Sequence, residues 1–292
     1  MEITAIVLVI FSAILHALRN FLTKKAIDKE LFIWWYQIFA MIFFFPLFIY
    51  FLFKENLDIP VALYFGIVSG FTHFLYWLFL AKAYAKGDLS VVYPIMRSSP
   101  ALVLIFSIII LGEKISFIGG AGVVIVAIGV YTVNMEGISP SMLIKPFIAV
   151  FKDSSTRFAF FTLISVTAYS LIDKAAVEYV HPILFIYLLI IFGYLFFTPY
   201  ILIKKSKTEI KKEWVLNRKF IVSSGLISVV GYTLILIAFT IERVSYIVGL
   251  RQLSVVFAVL LGSHLLKEQH KTIRFSGAAI IFSGAFLISI AK

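Results

Sequence analysis

Apolar residues fall along the chain in runs of about 20, separated by short polar stretches, and about 20 is the length a helix needs to cross a hydrocarbon core. The runs cover roughly 3–23, 31–53, 61–82, 89–111, 116–134, 158–179, 183–203, 220–240, 245–266 and 273–291. Stretches such as LVLIFSIIIL do not alternate as the strands of a membrane barrel do, and only helices satisfy their own backbone within one such run. The pattern predicts an all-α membrane protein with ten transmembrane helices. Its first run, EITAIVLVIFSAILHALRN, lacks the basic start and small-residue cleavage site of a secretory signal and reads as a retained first span.

The chain also matches itself. At a shift of 155, AYAKGDLSVVYPIMRSSPALVLIFSIIILGEK lies over AFTIERVSYIVGLRQLSVVFAVLLGSHLLKEQ, pairing Ala83 with Ala238, Ser90 with Ser245, Ser99 with Ser254 and Glu113 with Glu268; Gly122 and Gly129 fall on Gly277 and Gly284. Upstream, a shift of 153 pairs Ser12 with Ser165, Leu18 with Leu171, Asn20 with Asp173 and Pro46 with Pro199. The organisation predicted is a first five-helix repeat over 1–137, a linker over 138–157 and a second repeat over 158–292. In the linker Ile144, Phe147, Ile148 and Phe151 share a face, which suits a short interfacial helix as well as a plain connection. Five is odd, so the second copy enters the membrane from the opposite side. Such inverted repeats give a carrier two near-equivalent packings, the basis of alternating access.

The tails of the two halves, PALVLIFSIIILGEKISFIGGAGVVIVAIGV and LSVVFAVLLGSHLLKEQHKTIRFSGAAIIFSGAFL, resemble the EamA-type half of the drug/metabolite transporter superfamily. The shared marks are a small residue or proline opening the span, an LGE-like end, and a last span with an early and a late glycine. YPIMRSSP and LRQLSVVFAVLLG look like the versions of these spans in an EamA subgroup where arginine is usual. The second half has LLKE in place of LGE, and Gln252 stands where the pattern has an acid after the arginine. The resemblance implies efflux of metabolites or amino acids.

Composition sharpens the class. With 62% hydrophobic and 14% charged residues, the chain carries more apolar side chain than a soluble core uses. The net charge of +11 would suit nucleic acid if it were clustered on one surface patch, but its distribution follows the loops. Lys24, Lys25, Lys29, Lys82, Lys86, Lys145, Lys152, Arg157, the cations of KKSKTEIKKEWVLNRK, Lys267, Lys271 and Arg274 fall on one side; Lys54, Lys114, Lys174, Arg243 and Lys292 fall on the other. By the positive-inside rule the richer side is cytoplasmic. This predicts a multi-pass protein of the cell membrane with both termini outside, whose partners are the bilayer and a small solute, not nucleic acid. Cysteine is absent, so no disulfide or thiolate metal site exists.

Candidate chemistry lies where polar residues interrupt the spans. Arg97 sits about three residues from the centre of its run, about 5 Å from the midplane, and cations at such depth usually line a substrate or ion path. Arg251 takes nearly the same place in the second copy, so the two guanidinium groups should straddle the midplane about 10 Å apart in depth. Their fork geometry suits a carboxylate or phosphate. His16 and Asn20 share a face of the first span, Tyr169 and Asp173 repeat that spacing in the sixth, and His73 and Trp77 share a face of the third, with Tyr232 in Trp77's place in the eighth. With Tyr93 and Gln252 they make a candidate substrate pocket, and Asp173 is the candidate for ion coupling, set against a structural pair with Lys174. Arg19 and Lys82 are expected to snorkel as anchors. Glu113 and Glu268 are expected to cap the helix that follows each, and the paired glycines of the fifth and tenth spans to allow close contact.

No HExxH, GxSxG, P-loop or carboxylate cluster with metal-ligand spacing is present in the sequence, so neither an enzyme nor an ATP-driven pump is indicated, and no cofactor or metal is expected. A channel's filter loop or repeated polar stripe is missing too. The expectation is a monomeric secondary-active exporter of amino acids or other anionic or zwitterionic solutes. The alternatives are a proton-coupled exporter of lipophilic cations or a non-transporting membrane scaffold.

Overall fold

A computed structural model describes residues 1–23, 25–86, 92, 95–133, 153–257, 259 and 271–291. Among them the chain is helical and has no strand: α1 (Ile3–Thr23), α2 (Lys29–Lys54), α3 (Ile59–Lys86), α4 (Ser99–Leu111), α5 (Phe117–Val133), α6 (Ser154–Ala176), α7 (Pro182–Lys204), α8 (Lys207–Ile241), α9 (Val244–Arg251) and α10 (Lys271–Ile290). Seven of these are long and apolar enough to cross a membrane, namely α1, α2, α3, α6, α7, α8 and α10. The others are shorter apolar helices: 95–111, 117–133 and 244–257.

Local chemistry sets the ends. The Asp28 carboxylate accepts from the backbone of Glu30 and Leu31 and opens α2. Asp153 does the same for α6 through Thr156, so this helix begins inside the stretch assigned by sequence to the linker. The rest of that linker, including the proposed interfacial face, lies outside the described residues. Gly112 closes α4 in the left-handed conformation, φ 65°, which costs glycine little.

Three elements differ from the sequence expectation. The basic stretch before the eighth run is not a loop: α8 starts at Lys207, where Ser206 and Glu209 form a reciprocal capping box. Hydropathy reports entry into lipid, whereas Lys and Glu continue a helix through water. Within the described parts of the fourth and ninth runs the helix is interrupted by a turn at Ser98, just after Arg97, and at Gln252, just after Arg251. Pro100 contributes in the first case, since it has no N–H to bond the carbonyl four residues back; the turn at Gln252 has no such local cause.

The pairing of helices respects the repeat. Exchanging α1 with α6, α2 with α7, α3 with α8, α4 with α9 and α5 with α10 turns the α3–α6 contact into α8–α1, α3–α7 into α8–α2, and α4–α6 into α9–α1. The contacts α2–α7, α4–α9 and α5–α10 map onto themselves. Helices related by this exchange run antiparallel where they meet. Along α2 and α7, Trp34 donates to Thr198 at 3.0 Å, Phe48 stacks on Tyr187 at 4.2 Å and Phe51 on His181 at 4.3 Å. Along α5 and α10, a Cβ on Gly122 would lie 2.8 Å from the Gly284 carbonyl, and one on Gly129 2.6 Å from Ile281 N. The glycines thus serve the close packing expected of them. A second pair does the same unannounced: a Cβ on Gly70 would come 2.7 Å from Gly193 N, and on Gly225, 155 positions on, 2.8 Å from the Tyr36 carbonyl.

Loops collect on two faces. On one, the Met1 ammonium donates to the Ala291 carbonyl at 2.6 Å and Glu2 N to Glu242 at 2.9 Å. There too Glu113 accepts from Val244 N at 2.6 Å and from the Ser245 hydroxyl at 2.8 Å. Glu113 therefore caps α9 of the other half, not the helix that follows it, because the antiparallel halves bring α9's start beside α4's end; Glu268 lies outside the described residues. On the opposite face Lys205 reaches Asp28 at 2.5 Å and Glu30 at 2.7 Å, and Glu213 accepts from Asp28 N at 2.9 Å. Burial works against the Lys205 charge, and the hydrogen bonds to Asp28 and Glu30 outweigh it, holding the ammonium above its ordinary range.

Candidate functional site

The two halves enclose a cavity lined from α1, α2, α3, α6, α7, α8 and α9. It leaves about 60 Å³ for the centres of water-sized spheres, against roughly 10–15 Å³ for a single water. Antiparallel crossing decides which faces point inward: α1 meets α8 where Ser12 donates to the Gly231 carbonyl at 2.7 Å, so His16 and Arg19, about one and two turns on, face the centre.

Six of the residues singled out by sequence line this cavity: His16, His73, Trp77, Tyr169, Tyr232 and Arg251. The His73 ring stacks on Tyr169 at 4.1 Å and lies 5.5 Å from Tyr232 and 6.1 Å from Trp77. Trp77 can sit there because Gly193 stands opposite; a Cβ on Gly193 would meet the indole ring at 2.9 Å. The Arg251 guanidinium lies over the Tyr232 ring at 5.3 Å, and its charge acts on Tyr169.

The others stand apart. Asn20 accepts from Arg19 at 3.3 Å and positions it. Gln252 is buried at the end of α9, where its amide donates to the Val248 carbonyl at 3.4 Å. Arg97 is half-buried and is not among the described lining residues, although its charge, with those of Arg19 and Arg251, acts on the His16 ring. Tyr93 lies outside the described residues.

Arg19 is a correction. Expected as a snorkelling anchor, it turns inward, donating to Ser228 at 3.4 Å and lying 3.2 Å from His16 Nδ1. Its spacing of three from His16 was the available signal, since i and i+3 share a helix face. Tyr36, Gln37, Tyr76 and Ser228 also line the cavity. Gln37 is 2% exposed and its Nε2 has no hydrogen-bond partner; an amide in the run IWWYQIFAMIFFF was a legible sign of it.

Asp173 is the second correction. Lys174 does not pair with it but turns to the Phe239 carbonyl at 2.6 Å and Glu178 at 3.7 Å, since adjacent residues point to different sides of a helix. Asp173 is fully buried behind the cavity wall. Ser69 donates to its Oδ1 and Tyr232 to its Oδ2, both at 2.5 Å, and His73 Nε2 lies 3.7 Å from Oδ2.

Among the described residues no carboxylate lines the cavity and no group of His, Asp or Glu is placed to hold a metal. The arrangement is a small aromatic-walled chamber with one guanidinium from each half. It can hold an anionic group against an apolar or aromatic body.

The sequence profile of the EamA-like transporter family matches the chain twice, over residues 3–135 and 156–290. No curated protein matches it. In fold, one solved structure, described only as a crystal structure of protein, superposes with a TM-score of 0.68 over 98% of this chain and 96% of its own, at 15% identity. That likeness speaks to the fold alone.

Proposed function

Since the chain belongs to the EamA-like transporter family, we propose that it is a secondary-active carrier of small organic solutes bearing an anionic group, zwitterionic amino acids included, and that it works as an exporter. The observation that carries this reading is the pairing of Arg19 from the first repeat with Arg251 from the second in a cavity whose described lining has no carboxylate. A solute bridging those two groups touches both halves, so its binding senses their relative position.

The reading takes the chain as ten spans in two inverted repeats that rock about the cavity, with the turns beside Arg97 and Arg251 as the discontinuous helices that carriers place at such sites. Arg251 and Arg19 hold the anion in the arrangement described, and Arg97 meets it in the other. The protein sits as a monomer in the cell membrane with its basic face cytoplasmic and both termini outside. No ATP drives it, in keeping with a sequence that has no P-loop.

Asp173 supports a second reading, export of lipophilic cations, because it is a buried carboxylate one side chain away from the cavity. One experiment separates the two. Purified protein in detergent is heated with organic acids, amino acids, phosphorylated metabolites or lipophilic cations, and a ligand at 100 times its Kd should add about 2.7 kcal/mol of stability. Stabilisation by carboxylates that is lost in Arg251→Gln supports the anion carrier. Stabilisation by cations alone refutes it.

A further inference from the structure

Resting on the anion-carrier reading, we infer that Asp173 is a proton-binding site and that a proton bound there and an anion bound at Arg251 favour each other.

The surroundings of Asp173 accommodate two charge states. Its partners are hydroxyls, Ser69 on Oδ1 and Tyr232 on Oδ2, and a hydroxyl donates or accepts as required. When the carboxylate is ionised both donate to it. When it carries a proton one hydroxyl turns and accepts it, while His73 Nδ1 donates to the Ser69 carbonyl at 3.0 Å. A backbone N–H or an ammonium would allow only the ionised form. Lys174 does not clamp the site, since it is committed to Phe239 and Glu178.

Among the described residues, every titratable or charged group that faces Asp173 is also a cavity group. From α3 there is His73; from its own helix, Tyr169; from α8, Tyr232; from α9, Arg251, whose charge acts on the carboxylate. The α4 helix, also packed against α6, carries no titratable side chain. Tyr232 touches both ends, its hydroxyl on Asp173 and its ring under Arg251.

The sign of the coupling follows from these charges. Ionised Asp173 partly satisfies Arg251 and competes with an incoming anion. A proton from bulk water, forming one O–H bond on the carboxyl and returning to water on release, removes that competition. Anion and proton then travel together, so export proceeds where the outward solute gradient exceeds the inward proton gradient. Asn20, the repeat partner of Asp173, cannot titrate, so only one half bears the proton.

Two measurements test this. In infrared difference spectra between pH about 8 and about 6, a window in which ordinary histidines also change charge, the wild type should gain the C=O band of a neutral carboxylic acid, and Asp173→Asn should not; a wild type without that band overturns the inference. Benzoate, a carboxylate ionised throughout that range, should bind at least about fivefold more tightly at the lower pH, the low end of usual coupling between sites, and equally at both in Asp173→Asn. His73→Gln should keep the difference; its loss there would assign the proton to His73 and overturn the proposal. Equal affinity at both pH values in the wild type ends the coupling and leaves the anion carrier standing, whereas no benzoate binding at either pH, with the infrared band present, removes the anion carrier and the linkage and leaves only the proton site.

Discussion

Arg251 enters the cavity at the end of a helix of only eight residues, and what fixes that helix is a carboxylate from the other half. Glu113 takes the free N–H of Val244, so Glu113→Ala leaves the start of α9 uncapped. The expected cost is about 1 kcal/mol, as for other caps, read as a lower Tm, with benzoate affinity falling alongside. Unchanged Tm and affinity would show that α9 is held by its apolar contacts alone. The guanidinium groups divide differently. Arg19→Gln and Arg251→Gln should each weaken carboxylate binding about 30-fold, since truncating one member of a buried charge pair costs about 2 kcal/mol or more. Arg97→Gln should leave binding nearly intact and slow transport in vesicles. The reverse pattern would move the anion site to Arg97. At this scale the sequence made the types legible and the partners illegible: an arginine or aspartate in an apolar run is conspicuous wherever it points, but whether it meets Lys174 or Tyr232 depends on a helix remote in sequence.

Between elements, the seam of α5 and α10 depends on the missing Cβ atoms of four glycines. A Cβ on Gly284 would stand 2.7 Å from both the Gly122 carbonyl and Val126 N, and backbone cannot give way as a side chain can. Gly284→Leu should therefore destabilise by about 1–3 kcal/mol, the usual range for overpacking, while Gly112→Ala, with nothing within 4 Å but a φ of 65°, should cost only about 1 kcal/mol from backbone strain. Thermal unfolding in detergent compares them, and equal effects would mean the seam can separate freely. The glycine spacing was visible in the sequence because the repeat printed it twice. The turns at Ser98 and Gln252 were not, since an apolar run reads the same whether its helix is continuous or broken.

For the whole molecule, the faces are testable because the chain has no cysteine. Single cysteines replacing Glu2 or Glu178 should label from one side of the membrane, and one replacing Lys212 from the other; labelling of all three from one side would refute the arrangement. Lys205, joining the start of α2 to the end of α7, ties the halves together on the basic face. Removing it as Lys205→Ala should cost about 1 kcal/mol or less, because the pair is partly open to solvent. The sign of its pH dependence follows from a raised folded-state value: its contribution is complete below the ordinary lysine value of about 10.4 and fades only as pH rises through the higher folded one. Stability scans in which the gap between wild type and Lys205→Ala widens with alkali would contradict it.

The sequence by itself determined the membrane class and the twofold repeat, because hydropathy and periodicity are properties of segments. It also marked His16, His73, Tyr169, Tyr232 and Arg251 as unusual. The tertiary structure alone decided that Arg19 faces inward, that Glu113 caps a helix 131 residues away, and that Asp173 lies behind Tyr232 with Lys174 turned away from it. These are matters of how helices from different halves rotate and cross, and that rotation is set by glycine seams and cross-half contacts, not by any one segment's own pattern.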